Sequence, residues 1–176
     1  MPMKNYTIKD VTVKDAESLL EIYSPYVLNT AISFEYAVPS LQEFKERIER
    51  ISKNFPYICL IADGKIQGYA YASAFHEREA YKHCAELSIY LSKDAQKHGY
   101  GRALYQELES RLKKIGIINA YACIATTDTE DEYLTNNSEQ FHSRLGFKKC
   151  GEFQKCGLKF GRWYNMIWME KIIGER

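Results

Sequence analysis

Hydrophobic and polar positions along the chain follow two periods that take turns. Tyr6, Ile8, Val11 and Val13 suggest a first strand, and Ala16, Leu19, Leu20, Tyr23 and Val27 then recur at helical spacing. Ser40 with Glu43 forms a capping-box pattern ahead of Phe44, Ile48 and Ile51, so a second helix starts near Ser40 and stops at Pro56. Tyr57 to Ala62 and Ile66 to Ala74 read as strands of a hairpin turning at Asp63-Gly64. Glu86 to Leu91 is the next strand, and Leu104, Leu108, Leu112 and Ile115 line a helix that Gly116 ends. Ile118 to Ala125 is strand, Asn137 to Leu145 a short helix closed by Gly146, and Phe147 to Phe153 and Trp163 to Met169 the last strands. The order β, α, α, β, β, β, α, β, α, β, β predicts a mixed α/β layer.

Between the Glu86 strand and the following helix stands Gln96-Lys97-His98-Gly99-Tyr100-Gly101, running into Arg102. Two glycines one residue apart let backbone N–H groups converge on an anion, and a helix start adds its unpaired N–H groups and positive dipole end. A pyrophosphate fits such a place, although glycines also serve where a strand turns tightly into a helix. The string lacks the Gly-Lys-Ser/Thr of a Walker A loop and is too short for a G-x-G-x-x-G dinucleotide motif.

Length and charge narrow the class. The 176 residues suffice for one substantial core, so one domain over 1–176 is the expectation. A net charge of +1 with no basic run disfavours a nucleic-acid or anionic-membrane partner. No leader pattern opens the chain, and no apolar stretch approaches the roughly 20 residues that span a bilayer, which predicts a cytoplasmic protein. The five cysteines lack zinc spacing, so no metal is expected, and Cys59 and Cys123 read as small core residues of apolar runs. Most of the 14 tyrosines fall in strands or at helical spacing, as core-edge residues do.

The glycine segment in its strand–loop–helix setting resembles the Q/R-x-x-G-x-G/A acetyl-CoA signature of the GNAT N-acetyltransferases, and the element order matches that fold. Further strings resemble the phosphinothricin N-acetyltransferase-like branch. They are Tyr26-Val27, Thr30-Ala31-Ile32-Ser33-Phe34-Glu35, Gly68-Tyr69-Ala70-Tyr71-Ala72, Arg78-Glu79-Ala80-Tyr81, Glu86 with Tyr90, Ser138 with His142, Leu145-Gly146-Phe147, and Gly157 to Trp163. The resemblance implies a mostly antiparallel mixed sheet with helices on both faces. It also implies acetyl-CoA as cosubstrate, direct attack by an amine in a ternary complex, and a homodimer.

Acetyl transfer from a thioester needs a deprotonated amine, a stabilised oxyanion and a proton for the departing thiolate. The resemblance assigns these to Glu86 as base, to a backbone N–H near Leu91, and to His142, four residues after Ser138. An exposed strand glutamate opposite a lysine, and a histidine packed against the pantetheine arm or capping a carbonyl, fit the same positions. Gln96, His98, Gly99, Tyr100, Gly101, Arg102, Thr135 and Ser138 complete the implied cofactor site. Thr135 stands where the branch usually has asparagine, which removes an amide's paired donor and acceptor. On the acceptor side, an arginine fork can hold an α-carboxylate, the role implied for Arg78, with Phe34, Glu35, Tyr81 and Lys159 shaping the pocket. Trp163 is expected there, at a subunit contact, or simply packed in its strand.

These residues point to an N-acetyltransferase acting on a small amino acid or analogue of the phosphinothricin or methionine sulfoximine/sulfone type. The acidic run Asp128 to Glu132 keeps a peptide, protein N-terminus or polyamine acceptor as an alternative. A non-catalytic acyl-CoA-binding module is the other.

Overall fold

The computed structural model describes residues 5–176. Seven strands form one sheet in the order β1-β2-β3-β4-β5-β7-β6. They are β1 (Tyr6–Asp10), β2 (Tyr57–Ala62), β3 (Lys65–Ala74), β4 (Cys84–Leu91), β5 (Asn119–Thr126), β6 (Lys148–Lys159) and β7 (Arg162–Ile172). Every neighbouring pair is antiparallel except β4 with β5. The helices are α1 (Ala16–Asn29), α2 (Leu41–Ser52), α3 (Tyr100–Lys114) and α4 (Asn137–Arg144). The expected mixed fold is the one observed.

Two apolar layers flank the sheet. On one face α1 and α2 bury Leu19, Val27, Phe44 and Ile48 against Tyr57, Cys59 and Tyr69. On the other, α3 buries Leu104, Leu108 and Leu112 against Ile58, Ala72, Ala85 and Leu87, and Phe141 of α4 and Leu145 just past its end join that layer. The period-two alternation of β2, β3 and β4 therefore sorts side chains between two different helical layers, which fixes strand register. No helix among the described residues is long and apolar enough to cross a membrane.

Local departures from the expected elements have local causes. β1 ends at Asp10, and Val13 opens a short 3-10 turn, Val13–Asp15, where the Asp15 carboxylate caps Thr12 N. Ser40 Oγ accepts from Glu43 N at 3.1 Å, but the Glu43 carboxylate answers Arg47 rather than closing the capping box. β6 and β7 are longer than the hydrophobic pattern predicts. β6 is exposed along most of its length and bulges between Phe153 and Gly157, so no clean alternation marks it. Cys59 is buried as expected, whereas Cys123 is exposed, because its side of β5 faces a cleft rather than a core.

Candidate active site

The parallel pair β4–β5 is short: Cys84 faces Asn119, Ala85 faces Ala120, Glu86 faces Tyr121, and the ladder stops. Beyond Glu86 the strands part. The cleft between them runs past Ser88 and Tyr90 on one side and Ala122, Cys123 and Ala125 on the other, with Tyr105, Ser138 and His142 alongside.

Backbone polarity follows from register. Ser92 N donates to Gln67 O at 2.8 Å, and Tyr90 and Ser88 lie opposite Tyr69 and Tyr71. Even-numbered residues of β4 thus bond to β3, and Ile89 and Leu91 turn their N–H and C=O toward the cleft. The Leu91 carbonyl accepts Tyr26 OH at 2.6 Å, in keeping with that orientation. Two N–H groups in this wedge have no strand to pair with, the arrangement that receives an extended amide-bearing chain.

Past β4, Gly99 caps α3 in the left-handed conformation, φ 80°. The first intrahelical bond runs from Ala103 N to Gly99 O at 3.1 Å, so the N–H groups of Tyr100, Gly101 and Arg102 precede it and point out of the helix end. Gln96, His98 and Gly99 are exposed beside them, whereas the Tyr100 ring is buried edge-on against Tyr6. Only the backbone of Tyr100 is available there. Gly101 is also buried, and a Cβ would come within 3.0 Å of the Phe141 ring. That ring requires the glycine, independently of any phosphate.

Glu86 stands at the point where the strands separate, on the α1/α2 face, opposite Ser73 and Tyr121. Among the described residues its carboxylate has no hydrogen-bond or ion-pair partner. Burial raises its pKa above the ordinary 4.5, with His76 opposing weakly. An unpartnered, desolvated carboxylate, here two residues from Ser88 at the cleft wall, has the raised basicity a general base needs.

His142 is buried on the opposite side of the cleft. Its Nδ1 lies 2.7 Å from Ser138 O and its Nε2 lies 2.9 Å from Tyr105 OH. A carbonyl only accepts, so Nδ1 carries the proton. Burial lowers the pKa below 6.5, so the ring is neutral at pH 7 and Nε2 accepts from Tyr105. His142 thus faces Tyr105 through Nε2, and its expected role as thiolate acid would need the proton to reach that nitrogen. The polar hydrogen beside the cleft belongs to Tyr105, which helical spacing disguises as an ordinary core residue.

Thr135 is exposed just before α4, and the amide function arises one residue on. Asn136 Oδ1 accepts Thr127 N at 3.2 Å and its Nδ2 donates to Thr127 O at 3.1 Å, tying the end of β5 to the start of α4.

The predicted acceptor residues divide. Arg78 and Tyr81 sit in the exposed β3–β4 connection; Tyr81 packs against Phe75 and His76, and the Arg78 side chain has no partner among the described residues. Phe34 is partly exposed. Glu35 is engaged by both Arg47 nitrogens, at 3.0 and 2.6 Å, and by Tyr23 OH, and the Arg47 guanidinium holds its pKa below the usual value. Lys159 is buried among the backbone carbonyls of Val27, Thr30 and Ser33. Trp163 is exposed on β7 opposite Leu158.

The family model described as the acetyltransferase (GNAT) domain matches residues 8–168. The chain belongs to the GNAT acetyltransferase family. Among curated relatives of this GNAT protein, a phosphinothricin N-acetyltransferase of Alcaligenes faecalis is 30% identical over 168 residues, 95% of this chain and 82% of the relative. An L-methionine sulfoximine/L-methionine sulfone acetyltransferase of Pseudomonas paraeruginosa is 28% identical over 93% of this chain and 92% of its own length. A solved phosphinothricin acetyltransferase of Sinorhizobium meliloti, in complex with AcCoA, superposes with a TM-score of 0.87 at 36% identity, covering 97% of this chain and 89% of its own.

Proposed function

We propose that the protein transfers an acetyl group from acetyl-CoA to the free amine of an amino acid or close analogue, of the kind named for its relatives, with Glu86 as general base. The observation that carries this reading is the unpartnered Glu86 carboxylate where β4 and β5 part, with unpaired N–H groups on one side and an open helix N-terminus beyond.

The residues present fit the donor. The N–H groups of Tyr100, Gly101 and Arg102 suit a pyrophosphate, and those of Ile89 and Leu91 suit pantetheine amides and the thioester oxygen. Bound acetyl-CoA supplies an activated carbonyl. Glu86 faces the α1/α2 side, so an amine arriving from that side loses a proton to it and attacks the carbonyl. The C–S bond then breaks, and the hydroxyl rotor of Tyr105 turns from Nε2 of His142 toward the departing sulfur. His142 is here a positioning residue. The thiolate takes its final proton through water as Glu86 is deprotonated again. Desolvation, with the nearby Glu86 charge, pushes the Cys123 thiol up to about 12, which opposes an acyl-cysteine intermediate and favours direct transfer in a ternary complex.

Arg78 is the proposed α-carboxylate clamp, the role the resemblance implies for it, and the engagement of Arg47 and Arg162 with carboxylates and of Lys159 with carbonyls is in keeping with that choice. A peptide acceptor is less well served: Asp131 and Glu132 bind Arg162, Asp128 accepts from Asn165, and Glu130 accepts Asn136 N. The acidic run thus braces its own hairpin. A homodimer joins this reading, supported by the exposed Leu158–Trp163 pair on the β6–β7 hairpin, and sedimentation velocity tests it.

The deciding experiment measures kcat/KM for methionine sulfone and its carboxamide, with wild type and Arg78→Ala. Loss of one charge-assisted contact corresponds to roughly 10- to 150-fold, so wild type should prefer the acid by about that factor and the variant should not. Equal values in wild type would remove the clamp, and no thiol release with any amine would remove the function.

A further inference from the structure

The segment between α1 and α2, residues 30–40, has neither helix nor strand; it carries Phe34, whose ring lies over Gly157 of β6, and Glu35, which meets Arg47 of α2. Its internal bonds are short-range: Ile32 N donates to Thr30 Oγ1 and Glu35 N to Ser33 Oγ. Such turns do not fix a segment against the sheet. Arg47 and Tyr23 hold Glu35, Tyr23 OH also meets Ser33 Oγ at 2.8 Å, Ala31 N donates to Tyr133 O at 3.0 Å, and the β6–β7 hairpin adds a further set of ties around Phe34. Lys159 Nζ donates to Val27 O at 2.7 Å, Thr30 O at 2.8 Å and Ser33 O at 2.6 Å, using all three ammonium hydrogens, and the residue is only 4% exposed. One residue back, Leu158 O accepts Tyr36 OH. One further, Gly157 has no side chain because the Phe34 ring fills that space.

We propose that Lys159 is a positioning residue for acceptor recognition, its ammonium drawing the end of α1 and the carbonyls of Thr30 and Ser33 into the one arrangement that aims Phe34 at the acceptor. Stability alone does not call for a lysine here. Burying an ammonium is costly, and an apolar side chain of similar length would fill the volume. What only the ammonium supplies is simultaneous attraction for three carbonyls from two turns of chain. Two of them belong to the unpaired carbonyls at the α1 C-terminus, where positive charge is favoured. The consequence reaches Glu35, which leaves the same segment to join Arg47 and Tyr23.

This inference rests on the amine-acetylating activity proposed above, and the test separates the two. Wild-type thiol release with an amino-acid acceptor reports the activity; the ratio of variant to wild type reports the role of Lys159. Lys159→Met should raise acceptor KM at least tenfold and compress the discrimination between two acceptors of different side chain. Its affinity for CoA, by calorimetry, should stay within twofold. Tyr36→Phe removes a neighbouring contact from an exposed residue without disturbing the core, and should shift acceptor KM in the same direction by a smaller factor. Should Lys159→Met fail to fold, Tyr36→Phe decides. Unchanged acceptor KM and discrimination in folded variants, or equal losses of CoA affinity and acceptor KM, would overturn the proposal.

Discussion

At the scale of single residues, the chemistry turns on which polar groups are left without partners. Glu35, Arg47, Lys159, Asp131 and Arg162 are all engaged, whereas Glu86 is not. Glu86→Gln should lower kcat by roughly 10²–10⁴-fold with CoA affinity intact, since only proton removal is lost. The same change should raise thermal stability at pH 7. The sign follows from linkage: burial raises the folded-state pKa, so the ionised carboxylate costs stability above that pKa, and the cost disappears as pH falls through it. Melting curves at pH 7 and pH 4 should show the variant's advantage only at the higher pH. Tyr105→Phe should lower kcat more than acceptor KM and cost about 1–3 kcal/mol in urea unfolding, because His142 Nε2 is left buried without a donor.

At the scale of elements, the helix start after β4 was legible because a glycine at a left-handed cap is a need the sequence displays openly. The reason for the second glycine was not legible. Phe141 lies forty residues downstream in the sequence, and only the packing of α4 on α3 brings it to Gly101. Gly101→Val should therefore cost about 1–3 kcal/mol of stability by overpacking as well as at least tenfold in CoA affinity, a pairing that calorimetry and denaturation read independently. Asn136 was hidden differently: the eye falls on the position where an amide is usual, and Thr135 occupies it, while the amide works from the next residue. The resemblance singled out Lys159, but not its environment, since a lysine three residues before an arginine looks solvent-facing until the carbonyls of a distant loop close around it.

At the scale of the whole molecule, the fold was readable because strand and helix periods agree with one another along the chain, whereas the break in the sheet, around which Glu86 and the α3 N-terminus lie, is a matter of strand pairing that no sequence pattern marks. That break separates two faces. The helix N-terminus with Tyr105 and His142 lies on one side and Glu86 with Tyr71 and Ser73 on the other, so donor and acceptor approach from opposite directions. Initial velocities at varied acetyl-CoA and varied amine should give intersecting double-reciprocal lines; parallel lines would indicate an acyl-enzyme. The most direct test of the account is the pH dependence of kcat/KM for methionine sulfone in wild type and Glu86→Gln. Wild type should lose activity in acid as Glu86 protonates. The variant should be roughly 10²–10⁴-fold slower at pH 7 and recover toward wild type at high pH, where the amine deprotonates unaided. A variant that matches wild type at pH 7, or stays a constant factor below it at every pH, would contradict the assignment of Glu86 as the base.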